Sequence, residues 1–197
     1  MNAHQNASAA PASPYVHVEI EEPEVSLGTK EKIFITMVAS QTHFFGQLSR
    51  FSGEAIDALG NELKDYYSSN KGRPLSKYYI GSFCAALSSE DNFWYRACIE
   101  SVRAKKARVR FVDYGDTEEK PISTLCALEP QFCKLPKQGI MMALRSPSSE
   151  LSDEDFSRLL LDGTFELNME ALTGDGIYEV SFTNHTDNKT VLPHFAS

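Results

Sequence analysis

RVRFVDYGDTEE, at residues 108–119, reads as a β-strand that runs into a tight turn. Charged and apolar side chains alternate from Arg108 to Phe111, and Gly115 marks the turn. Phe111, Asp113, Tyr114 and Asp116 fall close together, two aromatic rings beside two carboxylates, which are the groups that attract a cation. Phe111 and Tyr114 lie three apart, so a straight strand sends them to opposite faces. They share a pocket only if the chain bends, which Gly115 permits. From the residues alone, both are core or surface aromatics, and Asp113 is a turn-stabilising residue.

Outward from this stretch the pattern stays β. From Lys77 to Leu128 the runs YYIGSFCAAL, FWYRACIESV, ARVRFVDYG and EEKPISTLCAL are short, strand-like and joined by polar turns. These are too few strands for a sandwich and suit a small twisted barrel. Trp94 is assigned to the barrel core, with Tyr95 on the opposite face. Tyr78 and Tyr79 are read as packing residues at the start of a strand.

The flanks differ. Before the barrel, runs at Ile33–Val38 and His43–Leu48 predict a hairpin. Ile56, Leu59, Leu63, Tyr66 and Tyr67 then recur at helical spacing. Ser52 is the expected N-cap, Phe51 and Ile56 form a staple, and Gly72 with Pro74 stops the helix. After the barrel come the strand GIMMALRS and a helix in LSDEDFSRLLLDG, with a Ser152/Asp155 capping box, a Leu151/Phe156 staple and Gly163 as C-cap glycine. The strands TFELNMEAL and GIYEVSFTN close the pattern. Neither flank has enough strands to close a sheet, so the two are expected to combine into one second barrel. The expected fold class is mainly β with helices, divided as an arm or linker at 1–28, a first part at 29–76, an inserted barrel at 77–136 and a second part at 137–195.

Composition narrows the function classes. The chain has 197 residues, 42% of them hydrophobic, and a net charge of −8. That size supports a real core, and the charge suits a basic partner better than nucleic-acid phosphate. Cys84, Cys98, Cys126 and Cys133 show no zinc-type spacing and read as reduced thiols of a cytosolic protein. Neither a secretory leader nor an apolar run of membrane-spanning length is evident, so a soluble, non-secreted protein with no membrane partner is expected. MNAHQNASAAPASP, followed by the acidic YVHVEIEEPEVS, reads as a disordered arm.

EDNFWYRACIESV, then VRFVDYGDTE, then LCALEPQFCKLP resemble the Tudor signature. SQTHFFGQL with its helix, and the C-terminal strand, helix and strands, resemble the split nuclease-like (OB-type) half of an extended Tudor domain, so the resemblance covers roughly residues 30–195. It implies a Tudor SH3-like barrel inserted into a split nuclease-like α+β barrel. It also implies a non-enzymatic, cofactor-free scaffold module that reads arginine-rich, often dimethylated tails of Piwi-class proteins. Such modules belong to cytoplasmic germ granules (nuage) and piRNA silencing. Carried over position by position, Tyr95, Phe111 and Tyr114 match aromatic cage walls. Leu87 stands where the family has an aromatic, and Asp116 where it has Asn. Methylation keeps the guanidinium charge but removes N–H donors, so a cage lacking one ring and carrying a carboxylate is expected to accept plain arginine.

Two alternatives accompany this reading. One is a reader that requires symmetric dimethylarginine. The other is RNA binding through Arg103, Lys105, Lys106, Arg108 and Arg110, although no aromatic interleaves with these charges as a stacking platform needs. A metal-dependent nuclease is not expected, because no Asp or Glu lies between Glu31 and Glu54, the segment holding the first hairpin.

Overall fold

The computed structural model describes residues 17–51, 53–69 and 71–183. The expected N-cap Ser52, most of the expected N-terminal arm and residues 184–195 of the second part lie outside these. Strands β1 (Lys30–Ser40) and β2 (His43–Leu48) form the expected hairpin, followed by helix α1 (Gly53–Ser68). Strands β3 (Phe83–Leu87), β4 (Trp94–Arg103), β5 (Lys106–Phe111), β6 (Thr117–Pro121) and β7 (Cys126–Ala127) come next. Strand β8 (Gly139–Leu144), helix α2 (Asp153–Leu160) and strands β9 (Thr164–Leu172) and β10 (Tyr178–Phe182) complete the order.

The two flanks do close on each other. Strands β1, β2, β8, β10 and β9 form a closed barrel, in which β10 runs parallel to β8 and the other pairs are antiparallel. Closure removes the free edges that either part would expose alone. Ile33 and Ile35 of β1, Phe44 of β2, Met142 of β8, Leu167 and Met169 of β9 and Val180 of β10 fill the interior without solvent contact. Phe156 of α2 plugs it, meeting Phe44 edge-on at 5.5 Å. Each such side chain contributes about 1.5–3 kcal/mol on burial.

Helix α2 begins as its residues dictate, with Ser152 Oγ accepting the Asp155 N–H at 3.1 Å. Its end corrects the expectation. The left-handed residue is Asp162, at φ 60°, and Gly163 is required for space, because a Cβ there would press into the Phe165 ring.

The inserted sheet has the order β6-β5-β4-β3-β7. Its core is built from small side chains, Cys84, Ala86, Ala97 and Ala107, around Ile99, Val109 and Phe111. A third cluster glues helix α1 to the outer face of this sheet: Leu63 and Tyr67 of α1 pack with Ala85, Val112, Leu128 and Phe132. Trp94 belongs here and not in the sheet's core, stacked on Tyr67 at 5.1 Å, while Tyr95 faces the core side. Alternation along β4 puts Trp94 and Tyr95 on opposite faces, as expected, but a strand pattern does not say which face the helix covers.

Two further expectations are corrected. Strand β3 starts at Phe83, and Tyr78 and Tyr79 are exposed in the preceding turn, which Ser82 Oγ ties by accepting the Tyr79 N–H. Residues 17–28 have no strand or helix, yet Val18 and Ile20 are buried in the third cluster and Lys137 N donates to Glu21 O at 2.8 Å. Isolated apolar residues in an acidic run acquire a role once a groove exists to take them. All four cysteines are free thiols, and burial pushes Cys84 up to about 12. No helix among the described residues is long and apolar enough to cross a membrane.

Candidate functional site

The opening stretch bends because a buried ion pair holds it. Arg96 of β4 is fully buried and donates from Nε and Nη2 to the two Asp113 carboxylate oxygens at 2.9 and 2.5 Å. Its remaining donors reach Phe132 O, Leu135 O and Pro136 O, so the guanidinium is satisfied. Asp113 also accepts the Gln138 N–H at 3.1 Å, which ties β5 to the entry of β8. Asp113 is therefore neither a simple turn residue nor a ligand contact. Its carboxylate is committed to the joint between sheet and barrel.

Beyond Asp113, the Tyr114 and Gly115 N–H groups both donate to Phe111 O, and Phe111 N donates to Asp116 O at 2.9 Å. Gly115 sits at φ 102°, and any Cβ there would collide with the Phe45 ring. Thr36 Oγ1 donates to Tyr114 O at 2.6 Å, and Gln47 Nε2 to Asp113 O at 2.7 Å. Arg110 lies over the Phe45 ring at 4.8 Å and donates to Glu100 and Gly115 O. Strands β1 and β2 thus clamp the turn from the barrel side.

The bend brings the predicted rings together. Tyr95 lies 5.3 Å from Phe111 and 5.3 Å from Tyr114, the second pair edge-on at 79°. Phe111 is 4% exposed and backs the cluster, while Tyr95 and Tyr114 are half-buried and present surface. With Asp116 they line a groove of about 570 Å³ between sheet and barrel. The barrel wall is Met37 and Ala39 of β1 and His43 of β2. Register shifts between Ile35 and Met37 and between Val38 and Ser40 fall along this part of β1. Before the first shift Ile33 and Ile35 point into the barrel; after it Val38 packs against the barrel core while Met37 and Ala39 line the groove, which is how a bulge re-aims side chains.

Leu87 is the predicted position that does not join. It lies at the end of β3 opposite Trp94, is 37% exposed and does not line the groove, whereas Ser88 does. Neighbours on an extended chain face opposite ways, so one residue separates the two outcomes. Sequence reasoning missed Glu90 and Asp91 in the same turn. Asp91 Oδ2 accepts the Tyr95 hydroxyl at 2.5 Å and so fixes that ring. The four-residue spacing was a weak signal, and nothing local announced the barrel wall.

Charge divides the groove. Glu90, Asp91, Asp116 and Glu118 lie along it, with Arg108 and Arg110 also present. Glu118 is neutralised by Lys120 at 2.6 Å and Arg110 by Glu100. Asp116 has no ion-pair partner among the described residues, and partial burial together with Glu90 pushes its carboxyl up. For Asp91, burial acts upward but hydrogen bonds from Tyr95 and the Phe93 N–H outweigh it, leaving the carboxyl below its usual range. Burial pushes the Tyr114 phenol up to about 12, so the ring stays neutral. Burial and Arg110 lower His43, which favours its neutral form. The groove thus offers aromatic surface, one carboxylate fixed by hydrogen bonds, Asp91, and two with no ion-pair partner among the described residues, Glu90 and Asp116, whose mutual repulsion a cation would relieve.

A family model described as Tudor domain matches residues 25–146. Among curated proteins, staphylococcal nuclease domain-containing protein 1 of Drosophila melanogaster is 31% identical over 150 residues, covering 71% of this chain and 16% of its own length. Tudor and KH domain-containing protein of Homo sapiens is 29% identical over 154 residues, covering 76% and 27%. The chain spans only 6%, 24% and 16% of the length of the first three curated relatives it matches. Among solved structures, extended Tudor domain TD3 from mouse TDRD1, in complex with a MILI peptide containing dimethylarginine, superposes with a TM-score of 0.76 at 25% identity, covering 89% of this chain and 95% of that one. The extended Tudor domain of Drosophila melanogaster Tudor-SN gives 0.70 at 27% identity, covering 83% and 81%. The inserted sheet and the split barrel that clamps it thus have their counterparts in proteins of one kind, and the chain belongs to the Tudor domain family, in its extended form.

Proposed function

We propose that this chain is a non-enzymatic peptide-binding module that takes an extended, arginine-containing segment into the groove between sheet and barrel. One observation carries the reading: Tyr95 and Tyr114 present aromatic surface beside Asp116, a carboxylate with no ion-pair partner among the described residues. A guanidinium stacks on such rings for about 0.5–2 kcal/mol and donates to the carboxylate. The mouse TDRD1 domain with its MILI peptide supports a Piwi-class tail as the partner. On the same resemblance rests the proposed setting, a scaffold in cytoplasmic germ granules.

The cage is open on one side, because Ser88 occupies the place next to which Leu87 turns away. Added methyl groups therefore gain little apolar contact and cost N–H donors, so the groove accepts plain arginine. Titration of Arg-Gly peptides in unmethylated, symmetric and asymmetric dimethyl forms at one salt concentration tests this. Equal affinity within a few-fold is expected. A tenfold preference for the symmetric form, roughly 1.4 kcal/mol, sinks the open-cage reading and leaves a symmetric-dimethylarginine reader. RNA binding is disfavoured because three of the five basic residues are paired, Arg108 and Arg110 with Glu100 and Lys106 with Glu119, and no aromatic interleaves with the run.

A further inference from the structure

A second hollow of about 400 Å³ adjoins the groove on the side of helix α1. Phe93, Tyr95 and Tyr114 give it aromatic walls, Asp57 and Asp91 give it carboxylates, and Gly60 lines its helical side. Tyr95, Tyr114 and Asp91 also line the groove, so the two rings form a shared partition. The Phe93 ring already carries a cation, with Lys64 Nζ 4.9 Å from its centroid. Asp57 makes neither a hydrogen bond nor an ion pair with any described residue, and its field reaches Tyr114. A Cβ on Gly60 would meet no heavy atom within 4 Å, so the helical side is open.

We propose that this hollow holds a second arginine of the same peptide, two residues from the one in the groove, so that the module reads an Arg-X-Arg pattern. The proposal rests on the arginine reading of the groove. Groups stacked on opposite sides of one ring lie roughly 7–8 Å apart, two contact distances of about 3.5–4.0 Å. Residues i and i+2 of an extended chain project to the same side about 6.6–6.8 Å apart. Adjacent residues project to opposite sides, and the spacing i, i+3 does not bring both side chains to one side.

The test is calorimetric titration of the full chain with Gly-Arg-Gly-Arg-Gly, with Gly-Arg-Gly-Ala-Gly, and with a peptide of equal charge whose arginines are three apart. The Arg-X-Arg peptide is expected to bind about tenfold more tightly than either comparator, whereas a single site offered two registers gains only about twofold. Gly60→Leu fills the hollow and is expected to remove that advantage, leaving the single-arginine affinity unchanged. Its melting temperature should not fall, because Leu is the better helix former. Asp57→Asn is expected to remove part of the advantage. A gain of twofold or less in the unaltered protein, an equal gain for the wider spacing, or a full gain retained in Gly60→Leu each overturns the second site alone. A single-arginine peptide whose affinity ignores Asp116→Ala overturns the groove assignment and the second site with it.

Discussion

The two walls of the groove are built on opposite plans. The barrel wall stands on an interior of large apolar side chains, Ile33, Ile35, Phe44, Met142 and Phe156, and presents only Met37, Ala39 and His43 to the groove. The sheet wall mixes small side chains, three alanines and Cys84, with Ile99, Val109 and Phe111 in its core, and its shape depends on a buried ion pair, Arg96–Asp113, and a glycine turn. Apolar packing is non-directional and tolerates exchange at equal volume, whereas a buried bidentate pair fixes orientation and fails badly if half is removed. The precise wall carries the rings, and the robust wall holds it in place.

The largest expected effect tests that contrast. Arg96→Ala leaves Asp113 charged and unpaired in the joint, so stability by denaturant unfolding should fall by about 3–5 kcal/mol. Phe156→Ala should cost a similar ~3–5 kcal/mol through its cavity. The two should differ in binding: at temperatures where both remain folded, Phe156→Ala keeps peptide affinity and Arg96→Ala loses it. Equal loss in both would mean that the sheet wall has no special role.

Next in size is Tyr114→Ala, which removes the ring that Thr36 and Gly115 position. Affinity for plain and methylated arginine peptides alike should drop by about 0.5–2 kcal/mol in calorimetry.

Smaller effects come from pH. The Asp116 carboxyl is raised above 3.8 in the folded chain, so above its folded value the charge disfavours folding, and below 3.8 both states are protonated and the penalty is gone. Asp116→Asn should therefore raise the melting temperature at neutral pH, and the gain should shrink as pH falls through the raised value towards 3.8. Arginine binding runs the other way: it needs the carboxylate and should weaken over the same window. Asp91, held below its usual range, stays charged there, so a residual affinity should remain. Asp116→Asn should also flatten the salt dependence of binding, since exposed charge pairs are screened over about 8 Å at physiological ionic strength.

The smallest expected effect concerns Leu87. Because Ser88 and not Leu87 lines the groove, Leu87→Phe should leave affinity and methyl preference unchanged in the same titrations. A rise in preference for the dimethylated form would show that the turn after β3 rearranges on binding.

The sequence by itself determined the elements and much of the site's chemistry. The hairpin, both helices and the Ser152 cap followed from period and capping, which are local properties of the chain. Tyr95, Phe111, Tyr114 and Asp116 were named by the resemblance to the Tudor signature, carried over position by position, whereas the residues alone read as core or surface aromatics and a turn. The shortage of strands in each flank already pointed to a joint barrel. Only the tertiary structure decided the rest. Alternation separates Trp94 from Tyr95 but not core face from helix-covered face, and it leaves Leu87 and Ser88 undecided until a turn sets the register. Asp113 looked like a turn residue because its partner, Arg96, meets it across two strands. Met37, Ala39 and His43 joined the groove through bulges in β1 and a closure between distant segments, and contacts between distant segments leave no period in the chain that makes them.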